Sequence, residues 1–564
     1  MNSRQGRRVG RGLRVSAVAF ATASGAALAW AIFAIPILAT AGDRPASKSS
    51  TASQASVSAA GNFLDPLLEA AWKEAGVKPG KPASDEEFLR RAYLDVLGRI
   101  PSVQEARAFL STREADKRGK LVEYLLNHVD FPKNFATQWT TLLVGRSPQG
   151  RMVDRAALTA WLRKQFAADR PWNEVVYDLV TASGSNRENG AVNFTLAHLE
   201  SEAVPLTART TRLFLGQQIQ CVQCHDHPNN DWKQSDFWGI NAFFRGVKTE
   251  DKNAPNAAGL EAYDHTELHD EPSNATARFE KRNGMMGVAF PTFLNGVKAG
   301  HGDGVIRRVE LGKMITDPKS DLLPRAMANR MWAQFLGRGF VNPIDDIGPH
   351  NVPVNPEILD KLADAFRDSK YDVKQMIRWI MTSRAYQATS LRAGKGEVSK
   401  GGDRDDSVFN VMQLRPMSPE QLFDSLLTAT SAHKTAGGRD DAKREAWMKQ
   451  FLFAFGNDEG DEATSFQGTI PQSLMMMNGE LMKDALSGKS GSFLADVLEQ
   501  AQKQGRAPAP YMIDQIYLAA LSRFPTAKER HAAMQYLDAF PDSLHVLQDL
   551  FWALLNSNEF ILIH

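Results

Sequence analysis

Over most of its length the sequence repeats one local pattern, apolar residues three and four apart between short breaks marked by Gly or Pro. That spacing gathers apolar side chains on one face of a helix, and such a face must be covered by another element. From Asn62 to about Phe244 it predicts helices over 85–97, 103–110, 118–127, 156–166 and 172–182. From about Val305 the pattern returns over 325–336, 356–369, 373–382, 419–430, 511–522, 527–539 and 543–556. The expectation is a mainly α fold: two helical domains with a small β-hairpin element between them, preceded by an export segment. At 564 residues the chain exceeds what one ordinary core supports.

Local signals sharpen the boundaries. Ser84-Asp85-Glu86-Glu87 reads as a capping box, with Ser84 capping the first turn and Glu87 reaching back. Residues 245–300 are polar and irregular, but 277–281 and 285–291 flank Arg282-Asn283-Gly284, a tight hairpin turn signal. Residues 391–406 read as an exposed loop, and no repeat of fixed period is present.

The N-terminus is of another kind. Arg4, Arg7, Arg8, Arg11 and Arg14 form a basic region ahead of the uncharged, apolar stretch 15–41, which ends in Ala39-Thr40-Ala41. This is the layout of a signal peptide, and its length also allows an uncleaved inner-membrane anchor. Arg7-Arg8 is a weak echo of a twin-arginine signal. The expected organisation is a signal peptide or membrane anchor at 1–41, a flexible Ser/Ala/Thr-rich linker at 42–60, a helical domain at 61–250, an irregular or hairpin connection at 251–304 and a second helical domain at 305–564. Localisation follows as exported, in the periplasm or cell envelope.

Charge excludes several partners. Lys and Arg number 66 against 65 Asp and Glu, and losing the five leading arginines leaves 61 against 65, a net −4. That balance carries no nucleic-acid footprint and predicts no polybasic surface patch for anionic lipid. With 43% hydrophobic residues the chain is not disordered, and with 2 cysteines it is not a disulfide scaffold.

Those two cysteines stand in Cys221-Val-Gln-Cys224-His225-Asp226-His227-Pro228. Thiols three residues apart can form thioethers to the two vinyl groups of haem c, with the adjoining His225 as proximal iron ligand. His227, Met152, Met285 and Met286 are the candidates for a second axial ligand. The same residues admit a Cys221–Cys224 disulfide, or zinc or another divalent metal on His225, Asp226 and His227, although consecutive ligands strain a closed tetrahedral site. A thioredoxin-like redox pair lacks its βαβ context.

Other groupings read as structural. His265 and His269 would meet at one metal only on a helix, and their surroundings suggest a solvated loop. The run 226–236 offers hard oxygen ligands without calcium-loop spacing. Arg330 or Arg338 with Asp345 or Asp346 reads as a helix-locking ion pair, and Met475-Met476-Met477 as core filling. No nucleophile elbow, phosphate loop or dinucleotide fingerprint occurs.

Several long stretches together resemble a family of exported planctomycete proteins, in which a cytochrome-c-like planctomycete domain of unknown function precedes a planctomycete-specific domain of unknown function. In the first domain the resemblance lies in Phe88-Leu-Arg90-Arg91-Ala-Tyr93-Leu94-Asp95 through Pro101, and in Leu213-Phe-Leu-Gly216 through Pro228 and on to Asp236-Phe237. In the second it lies in Arg325 through Asp346, Pro356 through Leu362, Ile380 through Gln387 and Asp549 through Phe560. It implies a cytochrome-like role through Cys221, Cys224 and His225, with no separate upstream cytochrome domain. The leading expectation is an exported envelope protein carrying one covalent c-type haem for electron transfer or oxidation, with a redox or envelope protein as partner. The alternatives are a non-enzymatic binding or scaffold protein with a Cys221–Cys224 disulfide, and a metal-dependent hydrolase.

Overall fold

The computed structural model describes residues 62–146, 153–228, 230–272, 276–300, 304–390, 408–434, 441–455, 470–504, 508–540 and 542–564. The expectations for segments 1–60 and 391–406 and for Met152 lie outside the described residues.

The fold is mainly α: the helices expected from the sequence form within about three residues of their expected bounds, and Leu64–Ala75, Asp130–Val144, Glu200–Leu215 and Gln234–Asn241 are helices beyond them. The Ser84 hydroxyl accepts from the Glu87 N–H (3.2 Å), opening the helix Asp85–Leu97, and Gly98 closes it at φ +73°. The capping box is only half made. The Glu87 carboxylate accepts instead from Arg91 Nη2 (2.8 Å), Thr389 Oγ1 (2.8 Å) and the Ser390 N–H (2.6 Å). A buried guanidinium one turn away is a stronger partner for a carboxylate than a helix-end amide. Complete capping boxes form instead at Ser102/Glu105, Ser418/Gln421 and Thr526/Glu529.

The helix Asp85–Leu97 is buried almost all round, by segments hundreds of residues away. Arg90 donates to the carbonyls of Ala520 (2.9 Å) and Phe560 (2.7 Å). Arg91 donates to those of Ala388 (3.0 Å) and His564 (3.0 Å). Asp95 accepts from Tyr386 Oη (2.8 Å) and Arg415 Nη2 (3.0 Å). Each guanidinium thereby satisfies carbonyls at ends and turns that helical bonding leaves open. The short strand pair Arg415–Pro416 with Leu562–Ile563 lies in the same neighbourhood. All described residues belong to one compact unit, Val57–His564.

The connection is more ordered than its composition suggests. Val247–Pro255 and Glu261–Asp270 form a long antiparallel hairpin with a bulge at Lys252/Asn253, and Gly184–Ser185 adds a third strand. Arg308, fully buried, clamps Asp270 at the hairpin's end (2.8 Å) and donates to the carbonyls of Val180 (3.1 Å) and Ala182 (2.8 Å). The Asn283-Gly284 signal marks a second hairpin, Ala277–Glu280 with Met286–Ala289, whose turn holds Gly284 at φ +77°. Among the described residues no helix is long and apolar enough to cross a membrane.

Candidate functional site at the cysteine turn

The helix Glu200–Leu215 begins in a left-handed turn at Ser201–Ala203, tied down by Asn241 Nδ2 on the Glu202 carbonyl (2.9 Å), and ends at Gly216. Gly216 has φ +66°, and its carbonyl accepts from the Ile347 N–H at 2.8 Å. From that fixed point the chain runs into a single 3-10 turn, Gln220–Gln223. Cys221 lies within this turn and Cys224 directly follows it. Ile219 and Val222 are fully buried and hold the turn from beneath, while Cys221 and Cys224 are exposed free thiols on its outer side.

The turn is braced by the helix Gln234–Asn241. The Gln223 carbonyl accepts from both Gln234 Nε2 (3.1 Å) and Trp238 Nε1 (3.0 Å). Gln234 Nε2 also donates to the Glu280 carbonyl (2.8 Å), and Trp238 stacks on Phe279 with ring centres 5.7 Å apart. One side chain thus ties the cysteine turn to the second hairpin.

His225 is exposed, and its Nδ1 lies 2.7 Å from the Asp226 carbonyl oxygen. A carbonyl only accepts, so Nδ1 carries the proton and Nε2 of the neutral ring keeps its lone pair. Nε2 has no partner among the described residues. Backbone anchoring of one ring nitrogen is the usual way a ligating imidazole is oriented for a metal on the other. Two exposed thiols and one oriented imidazole beside them make up the donor set of an attached haem.

The other predicted ligands face elsewhere. Asp226 Oδ1 accepts from the Gln234 N–H (2.9 Å), and Asp236 Oδ2 from the Lys233 N–H (2.8 Å). Both carboxylates therefore serve the start of the Gln234–Asn241 helix. His227 leans towards His350, with ring centres 6.0 Å apart, and His350 Nε2 lies 3.0 Å from Asp346 Oδ1. Met285 and Met286 are exposed on the second hairpin. Among the described residues no three His, Cys, Asp or Glu side chains converge as a metal-holding group.

His265 and His269 lie on the strand Glu261–Asp270, not in a solvated loop. Four residues along a strand span about 13 Å, so the two rings cannot share an ion. His265 bonds Asp264 Oδ2 (2.7 Å) through Nδ1 and Glu267 Oε1 (3.1 Å) through Nε2, and Asp264, the stronger influence, raises its pKa above the usual histidine range. Asp345, buried, pairs with Arg330 and with Arg212 Nε (2.8 Å), the helix lock that the sequence suggests. Met476 is buried as core filling, whereas Met477 is exposed.

Sequence reasoning passed over Gln234, Trp238 and His350. The first two follow the cysteines closely, but only their side-chain bonds to Gln223 reveal their part. Nothing local marks His350, which reaches His227 through the packing of distant segments.

Residues 63–249 match the family described as PSCyt2, protein of unknown function (DUF1549), and residues 307–452 match PSD1, protein of unknown function (DUF1553). No curated protein matches the chain. No solved structure matches it.

Proposed function

The chain belongs to the two-domain family of unknown function that sets DUF1549 ahead of DUF1553, and on that premise we propose that it is an exported envelope protein carrying one covalent c-type haem at Cys221, Cys224 and His225. The reading rests on one observation above all. Two exposed thiols, one on a 3-10 turn and one directly after it, are followed by an imidazole whose Nδ1 is anchored to the Asp226 carbonyl (2.7 Å). The name PSCyt2 agrees with a cytochrome-like role.

Bound there, haem would supply a one-electron iron couple. Cys221 and Cys224 would hold it covalently, and Nε2 of His225 would face the iron. Gln234 and Trp238 fix the Gln223 carbonyl and so the pitch of the turn. The role follows as electron transfer with an envelope partner, or a haem-dependent oxidation. Export is supported by the basic and apolar leader 1–41 and its Ala39-Thr40-Ala41 end.

Intact mass of the chain purified from an exporting, haem-attaching host tests both parts. The expected species starts at Gly42 and carries the added mass of one haem. A chain without that addition overturns the haem reading, and a deficit of two hydrogens identifies a Cys221–Cys224 disulfide in its place.

A further inference from the structure

The second hairpin has two unlike faces. Inward, Ala277, Phe279 and Ala289 are buried, and Phe279 lies against Trp238. Gly287 belongs to that face because a Cβ there would sit 2.5 Å from the Phe279 ring. Outward, Met286 is 64% exposed, Val288 54% and Phe290 54%, joined by Met285 from the turn. A tight turn at Phe293–Val297, with Gly296 at φ +82°, adds exposed Val297. Isolated exposed apolar residues are ordinary, but five on adjoining turns and alternate strand positions make a patch.

Its rim is basic. Arg278 sits across from Val288 and Glu280 across from Met286. Lys281, Arg282 and Lys298 occupy the turns, and all these charged residues are exposed. Glu280 is the one acid between Thr276 and Gly300. None of Arg278, Lys281, Arg282 and Lys298 makes an ion pair among the described residues. Elsewhere on the surface basic side chains are commonly paired, as Lys120 is with Glu114 and Lys503 with Glu499.

We propose that this face, Arg278 to Lys298, docks on an anionic lipid bilayer, with Met285, Met286, Val288 and Phe290 entering the interface and the four basic side chains meeting lipid phosphates. Flexible thioethers and an aromatic ring among unpaired cations match the interfacial boundary, where apolar groups leave water and Lys or Arg meets negative headgroups. An acidic protein would complement the charges but leaves the apolar stripe unexplained. The near-neutral charge of the whole chain conceals this basic cluster, which is confined to residues 278–298. The proposal is independent of haem at the cysteine turn.

Hydrogen exchange of the full chain on vesicles tests it peptide by peptide. Vesicles of phosphatidylcholine alone are compared with an equal mixture of phosphatidylcholine and phosphatidylglycerol. The informative signal is protection that depends on phosphatidylglycerol. The expected result is slower exchange over residues 281–298 on the anionic vesicles only, reduced by high salt. Lys281→Glu/Arg282→Glu and Met286→Ser/Val288→Ser, all at exposed positions, each abolish it without changing the circular dichroism. The charge reversal lowers partitioning onto the anionic vesicles by at least about tenfold. Protection that is absent, identical on both vesicles, or unchanged in both variants overturns the proposal. Protection by soluble polyglutamate but not by vesicles also overturns it, in favour of an acidic protein.

Discussion

Tyr386 donates its hydroxyl to the carboxylate of Asp95 across 2.8 Å, joining two residues from the two family-matched segments where both are almost wholly buried. Burial raises the Tyr386 pKa well above its usual value, so the phenol stays a proton donor. Arg415 completes the site at 3.0 Å from Asp95.

Cutting this link should destabilise the whole unit. Tyr386→Phe removes one hydrogen bond to a charged acceptor, at about 1.5–3 kcal/mol. Asp95→Ala leaves the largely buried Arg415 guanidinium without its carboxylate partner and costs about 3–5 kcal/mol. Urea unfolding followed by circular dichroism measures both, and equal stability of the two variants would contradict the account.

Acid sensitivity has an identifiable source in His198. Burial, partly offset by its contact with the Leu143 carbonyl (2.7 Å), lowers its pKa to about 4 from the ordinary 6.5. The ring is neutral in the fold, while the unfolded chain takes up a proton below pH 6.5. Stability is therefore flat above about pH 6.5 on this account and falls as pH drops towards 4, by about 3 kcal/mol for the full shift. His564, also lowered to about 4 chiefly by burial, acts in the same window. His198→Gln should flatten the pH dependence of urea midpoints between pH 6.5 and 4 without abolishing it. An unchanged slope would remove His198 as a cause.

Gly216 sets where the cysteine turn begins. An alanine would adopt φ +66° against its preference, and its Cβ would lie 2.9 Å from Ile347 Cδ1 and 3.3 Å from Ala326 Cβ. Gly216→Ala should cost about 1–2 kcal/mol and reduce haem attachment by displacing the turn. Thermal unfolding and haem content per chain report the two effects, and full haem content would show that the turn tolerates the shift.

Gln234→Ala removes donors from the Gln223 and Glu280 carbonyls together. Amide exchange across 220–228 and 277–289 should quicken in this variant, with global stability lowered by only about 1–2 kcal/mol. Faster exchange in one segment alone would mean that Gln234 does not couple them.

Much of this architecture was legible locally. Ser84 announces its helix because a cap needs only its own first turn, and Asn283-Gly284 announces its hairpin because a tight turn demands those residues. The fate of Glu87 was not legible, since Thr389 and Ser390 lie some three hundred residues on. The long hairpin 247–270 escaped notice because its strands are mostly charged and sit partly in solvent, so they lack a clean apolar alternation. At the site, Cys221, Cys224 and His225 stood out by their order alone. The exposure of the thiols depends on Ile219 and Val222 being drawn into the core, and the approach of His350 to His227 depends on tertiary packing.

The central claim concerns covalent haem at Cys221 and Cys224. Its most direct test is a pyridine haemochrome spectrum with haem staining of denatured full-length protein, made alongside a cytochrome c maturation system, against a Cys221→Ser/Cys224→Ser control. The account predicts one haem per wild-type chain that survives denaturation, and none in the control. Wild-type protein without covalent haem, or a control that retains it, would contradict the account.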